Sequence, residues 1–344
     1  MSALKLNRPD RLSRTLPVAL FGTAIAWAMA AHSLAARSAR GLTNRFNADG
    51  LRPLVASLFL LFLLAVGFSL LAAIARRPVS LRDLFGLPRR STATREWLLG
   101  AAIGWGAAVL AVLPLALTGS LSIGFWTEPR AFGLMFINLA AVAAGTFAEE
   151  VVFRGYPFRC LIEATGPTRA TVVLAALYSL AHTLTGNGSP AAFLLTFLAG
   201  VMLALGWLRT HGLWLPWGIH FAWNASLGIL FGLPVTGSVD GSTVIQTTAH
   251  GRAWFTGGLF GPEAGLFTAV ALTVAIILLI RATRDYAWDY THPLIIPGGY
   301  PMDVPPPAAH AAMEQEAGRT QESPLVQILP ATPQGRSVDD QQRS

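Results

Sequence analysis

The chain has 344 residues, of which 53% are hydrophobic and only 12% are charged. Soluble globular proteins carry about 25% charged residues, so a chain this apolar cannot cover its surface with polar groups. Composition therefore predicts an integral membrane protein and excludes an ordinary soluble domain. The formal net charge is +7, but the basic residues are dispersed, which is not typical of a nucleic-acid patch. We expect a lipid bilayer as the partner and no nucleic acid.

The chain begins with a basic segment, residues 1–15, that contains Lys5, Arg8, Arg11 and Arg14. An apolar run from Leu16 to Ala36 follows, and together they resemble a signal peptide. The run is long for a cleaved signal and has the length of a membrane span. We therefore predict a retained first helix preceded by a cytoplasmic segment.

Apolar segments long enough to cross a bilayer recur along the chain, at about 1.5 Å of rise per helical residue. They predict an all-α fold, a polytopic membrane helix bundle of about eight transmembrane helices. The segments are Leu16–Ala36, Pro53–Ala75, Trp97–Leu117, Phe132–Phe153, Arg169–Thr183, Pro190–Leu208, Leu213–Phe231 and Glu263–Ile280. The fifth is short.

Basic residues between the segments predict the orientation of the bundle, because cytoplasmic loops carry an excess of Lys and Arg. The loop between segments two and three is the densest and should be cytoplasmic; it holds Arg76, Arg77, Arg82, Arg89, Arg90 and Arg95. With eight spans, both termini are then cytoplasmic. The first loop disagrees, since its four arginines, Arg37, Arg40, Arg45 and Arg52, would lie outside.

Four regions follow from these patterns. Residues 1–15 form the N-terminal segment, and residues 16–96 form two spans with the basic loop. Residues 97–281 form the core that carries the candidate site. Residues 282–344 are polar and Pro-rich, so they cannot bury a core and should form a disordered cytoplasmic tail.

Ionisable residues occur where they are costly, because one at the centre of a span costs roughly 2.5–3.5 kcal/mol on insertion scales. Such residues usually face an internal cavity and mark function. Segment four contains Glu149, Glu150 and Arg154, segment five contains His182, and segment seven contains His220 with Asn224.

Helical spacing relates these residues to one another. Glu150 and Arg154 are four apart, share a face and can pair, whereas Glu149 points about 100° away. His220 shares a face with Asn224 in the same way, and Tyr178 with His182, so three helices each present a polar stripe. Structural interpretations compete: an ion pair, a solvated helix-terminal histidine, or interhelical hydrogen bonds. Four polar positions in one bundle favour a common site.

The residues also resemble a known family. Glu149-Glu150-Val-Val-Phe-Arg154 matches an EExxxR motif, Tyr178-Ser-Leu-Ala-His182 resembles FxxxH with Tyr where Phe is common, and His220-Phe-Ala-Trp-Asn224 matches HxxxN. These motifs are typical of the CPBP family, the CAAX proteases and bacteriocin-processing enzymes, also called Abi. The resemblance covers about Trp97 to Ile280.

The resemblance implies an intramembrane glutamic endopeptidase. Glu149 and His182 would activate water, and His220 and Asn224 would hold the oxyanion of the tetrahedral intermediate. Glu150, Arg154 and Tyr178 would support the site. The substrate would be a membrane protein, a lipidated protein or a peptide.

Several alternatives stay open at this point. Glu149, His182 and His220 could supply the three protein ligands that catalytic zinc requires, although we expect no cofactor. A non-catalytic immunity or scaffold protein is another alternative, and a proton-coupled transporter is a third. No inverted repeat supports transport, and no GxSxG or HExxH motif indicates another protease class.

The orientation can be tested with a reporter fused after Arg284. Because the basic loop at Arg76–Arg95 should stay inside, we expect the fused reporter to be active in the cytoplasm. Activity only on the opposite side of the membrane would show that the number of spans is odd or that the bundle is inverted.

Overall fold

A computed structural model describes residues 11–76, 80–184, 187–239 and 243–285, with side chains from Thr15 onward. The predicted N-terminal segment lies mostly outside these residues, and the predicted tail lies outside them except for residues 282–285. The described part is mostly helical, and five of its helices are long and apolar enough to cross a membrane. The predicted all-α polytopic bundle is therefore confirmed.

The longer helices follow the apolar segments in chain order, with short helices and strands between them. They are α1 (Arg11–Arg45), α2 (Arg52–Ile74), α3 (Leu81–Leu84), α4 (Ala93–Leu117), β1 (Leu121–Phe125), α5 (Pro129–Arg154), α6 (Tyr156–Thr165), α7 (Pro167–Thr183), α8 (Pro190–Thr210), α9 (Trp214–Ala225), β2 (Ile245–Ala249), α10 (Ala253–Thr256) and α11 (Leu266–Ala282).

All eight predicted segments are largely helical, but they differ in length. The spans that meet the length and hydropathy needed for a crossing lie in α1, α2, α4, α5 with α6, and α8. Helices α7 and α11 have 17 residues each, and α9 has 12 before it continues as a π-helix over Ser226–Leu230. The count of eight crossings stays a prediction.

Two features were not predicted from the sequence. Helix α6 begins directly after Gly155, where α5 ends, and lies between the fourth and fifth predicted segments. A two-stranded antiparallel sheet joins β1 to β2, with Ile123 opposite Thr247. The second strand lies in the Gly- and Thr-rich segment between residues 234 and 262, where the run of strand-forming residues is too short to predict a strand.

Helix α9 lies at the centre of the bundle, in contact with α4, α5 and α8. Glycines allow its close approach to α4. A Cβ on Gly100 or Gly104 would lie 2.2 Å from a carbonyl oxygen of α9, and a Cβ on Gly218 would lie 2.2 Å from the carbonyl oxygen of Trp97. Small residues let helices pack this closely in membranes, and here they fix the helix that carries His220.

A buried ion pair secures the start of α9. Glu96, fully buried in the first turn of α4, lies 2.9 Å from the guanidinium of Arg90. Arg90 also donates to the carbonyl oxygen of Thr210 at 2.7 Å, at the end of α8. The segment before α4 is thereby joined to the turn between α8 and α9.

We expect Glu96→Gln to lower the stability of the fold, because it leaves the largely buried Arg90 without its counter-ion. Removing one partner of a buried pair typically costs about 3–5 kcal/mol, so the melting temperature of the purified protein in detergent should fall by several degrees. Glu128→Gln changes an exposed acid and is the matched control. Equal melting temperatures for the two variants would contradict this role for Glu96.

Candidate active site

Glu150 and Arg154 form the buried centre of the polar cluster. They lie one turn apart on α5, and their side chains, 0% and 1% exposed, form an ion pair at 3.0 Å. Arg154 also donates to the carbonyl oxygen of Gly200 on α8 at 3.1 Å. Its guanidinium carbon lies 4.6 Å from the centre of the Tyr178 ring on α7, a cation–π distance. The pair thus connects three helices.

The same carboxylate of Glu150 orients His220. Its Oε1 atom lies 2.8 Å from His220 Nδ1. A carboxylate that already binds Arg154 acts as an acceptor, so Nδ1 of His220 carries the hydrogen. The second ring nitrogen, Nε2, is consequently turned toward Glu149 and the Tyr178 hydroxyl, which lies 3.4 Å away.

Glu149 points away from Glu150, as the helical spacing predicts, and reaches both histidines. Its Oε2 atom lies 3.3 Å from His182 Nε2 and 3.6 Å from His220 Nε2. Within the part of the chain that the structure describes, this buried oxygen makes no hydrogen bond of good geometry. The side chain as a whole is 37% exposed.

His182 is oriented by its own helix. Its Nδ1 atom lies 2.8 Å from the carbonyl oxygen of Tyr178, one turn earlier. A carbonyl can only accept, so Nδ1 carries a hydrogen and Nε2 faces Glu149. The Tyr178 ring packs against the imidazole with centroids 4.1 Å apart. Both imidazoles therefore direct Nε2 at one carboxylate oxygen, an arrangement suited to sharing or moving a proton.

Asn224 lies one turn after His220 on α9 and is half-buried. It lines a cavity with Tyr178, His182 and His220, whereas Glu149 meets the two histidines from the α5 side. The cavity has a volume of about 50 Å³. One water needs at least about 10–15 Å³, so the cavity has room for water. Apolar walls complete the cavity: Leu195, Met202, Leu203, Ile219 and Leu272.

The structure therefore brings all seven sequence-predicted residues together. It also adds Trp223, Thr236 and Glu263 to the cavity wall. In the sequence, Trp223 is only a variable position of the HxxxN motif, and Glu263 is only the start of the last apolar segment. A glutamate at the start of an apolar segment can be noticed in the sequence. However, the partners of Glu263 are distant in sequence, and no residue spacing identifies them.

The described residues contain no group of three or more His, Cys, Asp or Glu side chains arranged to hold a metal ion. The hypothesis that Glu149, His182 and His220 bind zinc is tested chemically below.

Comparison with known proteins adds a family to this geometry. Residues 131–226 match the family model described as type II CAAX prenyl endopeptidase Rce1-like. The match covers 96 of the 344 residues and agrees with the resemblance to the CAAX proteases. No curated protein and no solved structure matches the chain.

The matched region contains the whole polar cluster, from Glu149 to Asn224. The matched region therefore carries all the residues that the three motifs singled out. The five long apolar helices indicate a multi-pass membrane protein, and the match shows a similarity to a family of proteases.

We expect Glu150→Gln to destabilise the helix bundle, because the substitution keeps the shape and removes the charge that Arg154 and His220 face. The cost should be about 3–5 kcal/mol, the range for breaking a buried pair. Thermal unfolding of the purified variants in detergent measures it. Glu149→Gln, on the neighbouring and partly exposed acid, is the control and should melt close to wild type. If both variants melted like wild type, the pair would not hold the helices together.

Proposed function

We propose that the protein is an intramembrane endopeptidase that hydrolyses a peptide bond with a water molecule activated by Glu149 and His182. The observation that carries this proposal is the convergence of two Nε2 atoms on Glu149 Oε2, at 3.3 and 3.6 Å. The family match supports the reaction class. The substrate would be a peptide segment of a membrane-bound or lipidated protein.

Glu149 is the proposed general base. Its partial exposure lets water reach the carboxylate, while His182 Nε2 lies beside the same oxygen. The attacking water would lose one proton to this pair as its oxygen bonds to the substrate carbonyl carbon. The pair would then return that proton to the leaving amine as the C–N bond breaks, which is ordinary general acid–base catalysis.

His220 and Asn224 are the proposed ligands of the oxyanion. Glu150 holds His220 through Nδ1, which leaves Nε2 facing Glu149 and the Tyr178 hydroxyl. From that position a protonated Nε2 would donate to the oxyanion. The side-chain amide of Asn224 faces the same cavity. Donors placed in advance where charge develops are typically worth about 10²–10³ in rate each.

Glu149→Gln tests the proposal, because it removes the base and nearly keeps the shape. We expect the variant to accumulate and insert normally, with cleavage reduced by at least about 10²-fold, the lower end for loss of a general base. The measurement is cleavage of a transmembrane peptide by purified protein in detergent or vesicles. Glu128→Gln, an exposed acid outside the cluster, is the matched control. Cleavage by Glu149→Gln at the wild-type rate would remove Glu149 as the base.

The same assay separates the glutamic mechanism from the zinc-dependent one. We expect wild-type cleavage to survive a strong chelator. If the chelator abolished cleavage and zinc restored it, Glu149, His182 and His220 would instead be candidate metal ligands.

A further inference from the structure

The carboxylate of Glu263 lines the cavity of the proposed site. Glu263 lies on the short 3₁₀ turn Pro262–Ala264, immediately before α11. Its Oε1 atom accepts a hydrogen bond from Trp223 Nε1 at 2.9 Å. Its Oε2 atom accepts from the backbone N–H of Thr236 and, at 3.3 Å, from the Thr236 hydroxyl. Glu263 takes no part in the proton transfer proposed above.

These hydrogen bonds connect Glu263 to the catalytic helix. Trp223 lies on α9 between His220 and Asn224, and its indole N–H is the only donor of that side chain. Hydrogen bonds to an ionised acceptor are roughly twice as strong as neutral ones. Glu263 thus joins three segments that are distant in sequence: α9, the loop at Thr236 and the start of α11.

The position of Asn224 depends more on contacts of its helix than the positions of His182 and His220 do. Its side-chain amide makes no hydrogen bond with any residue in the described ranges, unlike His220 and His182, which are each held through Nδ1. The direction of the amide is therefore set by its backbone and by the packing around it.

The backbone at Asn224 is close to a change of helix type. The α-helical part of α9 ends at Ala225, and the next five residues, Ser226–Leu230, form a π-helix. Wide turns of this kind occur mostly as single turns and frequently lie at functional sites. The hydrogen bond from Trp223 to Glu263 lies within one turn of this junction and fixes the backbone there.

We propose that Glu263 is a positioning residue that acts through Trp223 to hold the Asn224 amide where the oxyanion forms. This inference rests on the proposed function. A purely structural alternative is that Glu263 only fastens the Thr236 loop to α11. The two differ in one respect: positioning requires Asn224, whereas fastening the loop does not.

A double-mutant cycle uses that difference. Trp223→Phe removes the N–H donor and keeps most of the ring, and Glu263→Gln removes the charge and keeps the shape. Each is compared with its parent in the wild-type and in the Asn224→Ala background, as purified protein cleaving a transmembrane peptide. We expect each to lower kcat by about tenfold to a hundredfold with KM within about twofold, because a misplacement of about 1 Å can cost that much. Trp254→Phe, the same change on an exposed tryptophan outside the cavity, is the control and should cleave at nearly the wild-type rate.

In the Asn224→Ala background, we expect Trp223→Phe and Glu263→Gln to have no further effect on kcat, since residues that act through one group are non-additive. An equal loss in both backgrounds would overturn the proposal in favour of loop fastening. If Glu263→Gln did not fold, Trp223→Phe alone would decide, with its melting temperature as the check on folding. Full activity of Trp223→Phe would overturn the positioning role and leave the proposed function intact. A wild type that cleaves no faster than Glu149→Gln would overturn the proposed function itself.

Discussion

The rest of the site depends on one buried charge, the carboxylate of Glu150. Its Oε1 atom is 3.0 Å from Arg154 and 2.8 Å from His220 Nδ1. An isolated carboxylate in an apolar interior is very unfavourable. Arg154 on the same helix and His220 on α9 both compensate it, so α9 cannot separate from α5 without losing one of these two contacts. The hydrogen bond from Arg154 to Gly200 extends the constraint to α8. Through Arg154 and His220, this one carboxylate constrains how four helices pack together: α5, α7, α8 and α9.

Adjacent glutamates have different tasks because successive residues on a helix point about 100° apart. Glu150 faces the buried pair, whereas Glu149 faces the two histidines and is partly exposed. The charge of the buried Glu150 is neutralised, and its side chain is held in one position. The partly exposed Glu149 has a buried oxygen near two Nε2 atoms. A general base requires this second environment.

Close packing of α9 explains why this short helix can carry His220 and Asn224. Gly100 and Gly104 leave no side chain between α4 and α9, and Gly218 does the same from the other side. Trp217 donates to the carbonyl oxygen of Ala143 at 3.1 Å, which ties α9 to α5. A helix held on several sides can keep polar groups in place in a bilayer, where no water competes for their hydrogen bonds. The Trp223–Glu263 bond adds an anchor near its end.

The sequence by itself determined the all-α membrane bundle, because apolar runs and helical spacing are local properties of the chain. It also determined which residues belong to the motifs and that Glu150 lies on the face of Arg154, since a spacing of four residues defines a helix face. Spacing could not show that His220 would bind Glu150 rather than Glu149, or that both histidines would point Nε2 at one oxygen. Those contacts join residues 33 to 71 positions apart, and they depend on how the helices pack. The tertiary structure alone placed Glu263 beside Trp223, because no local pattern relates an acid at the start of α11 to an indole 40 residues earlier.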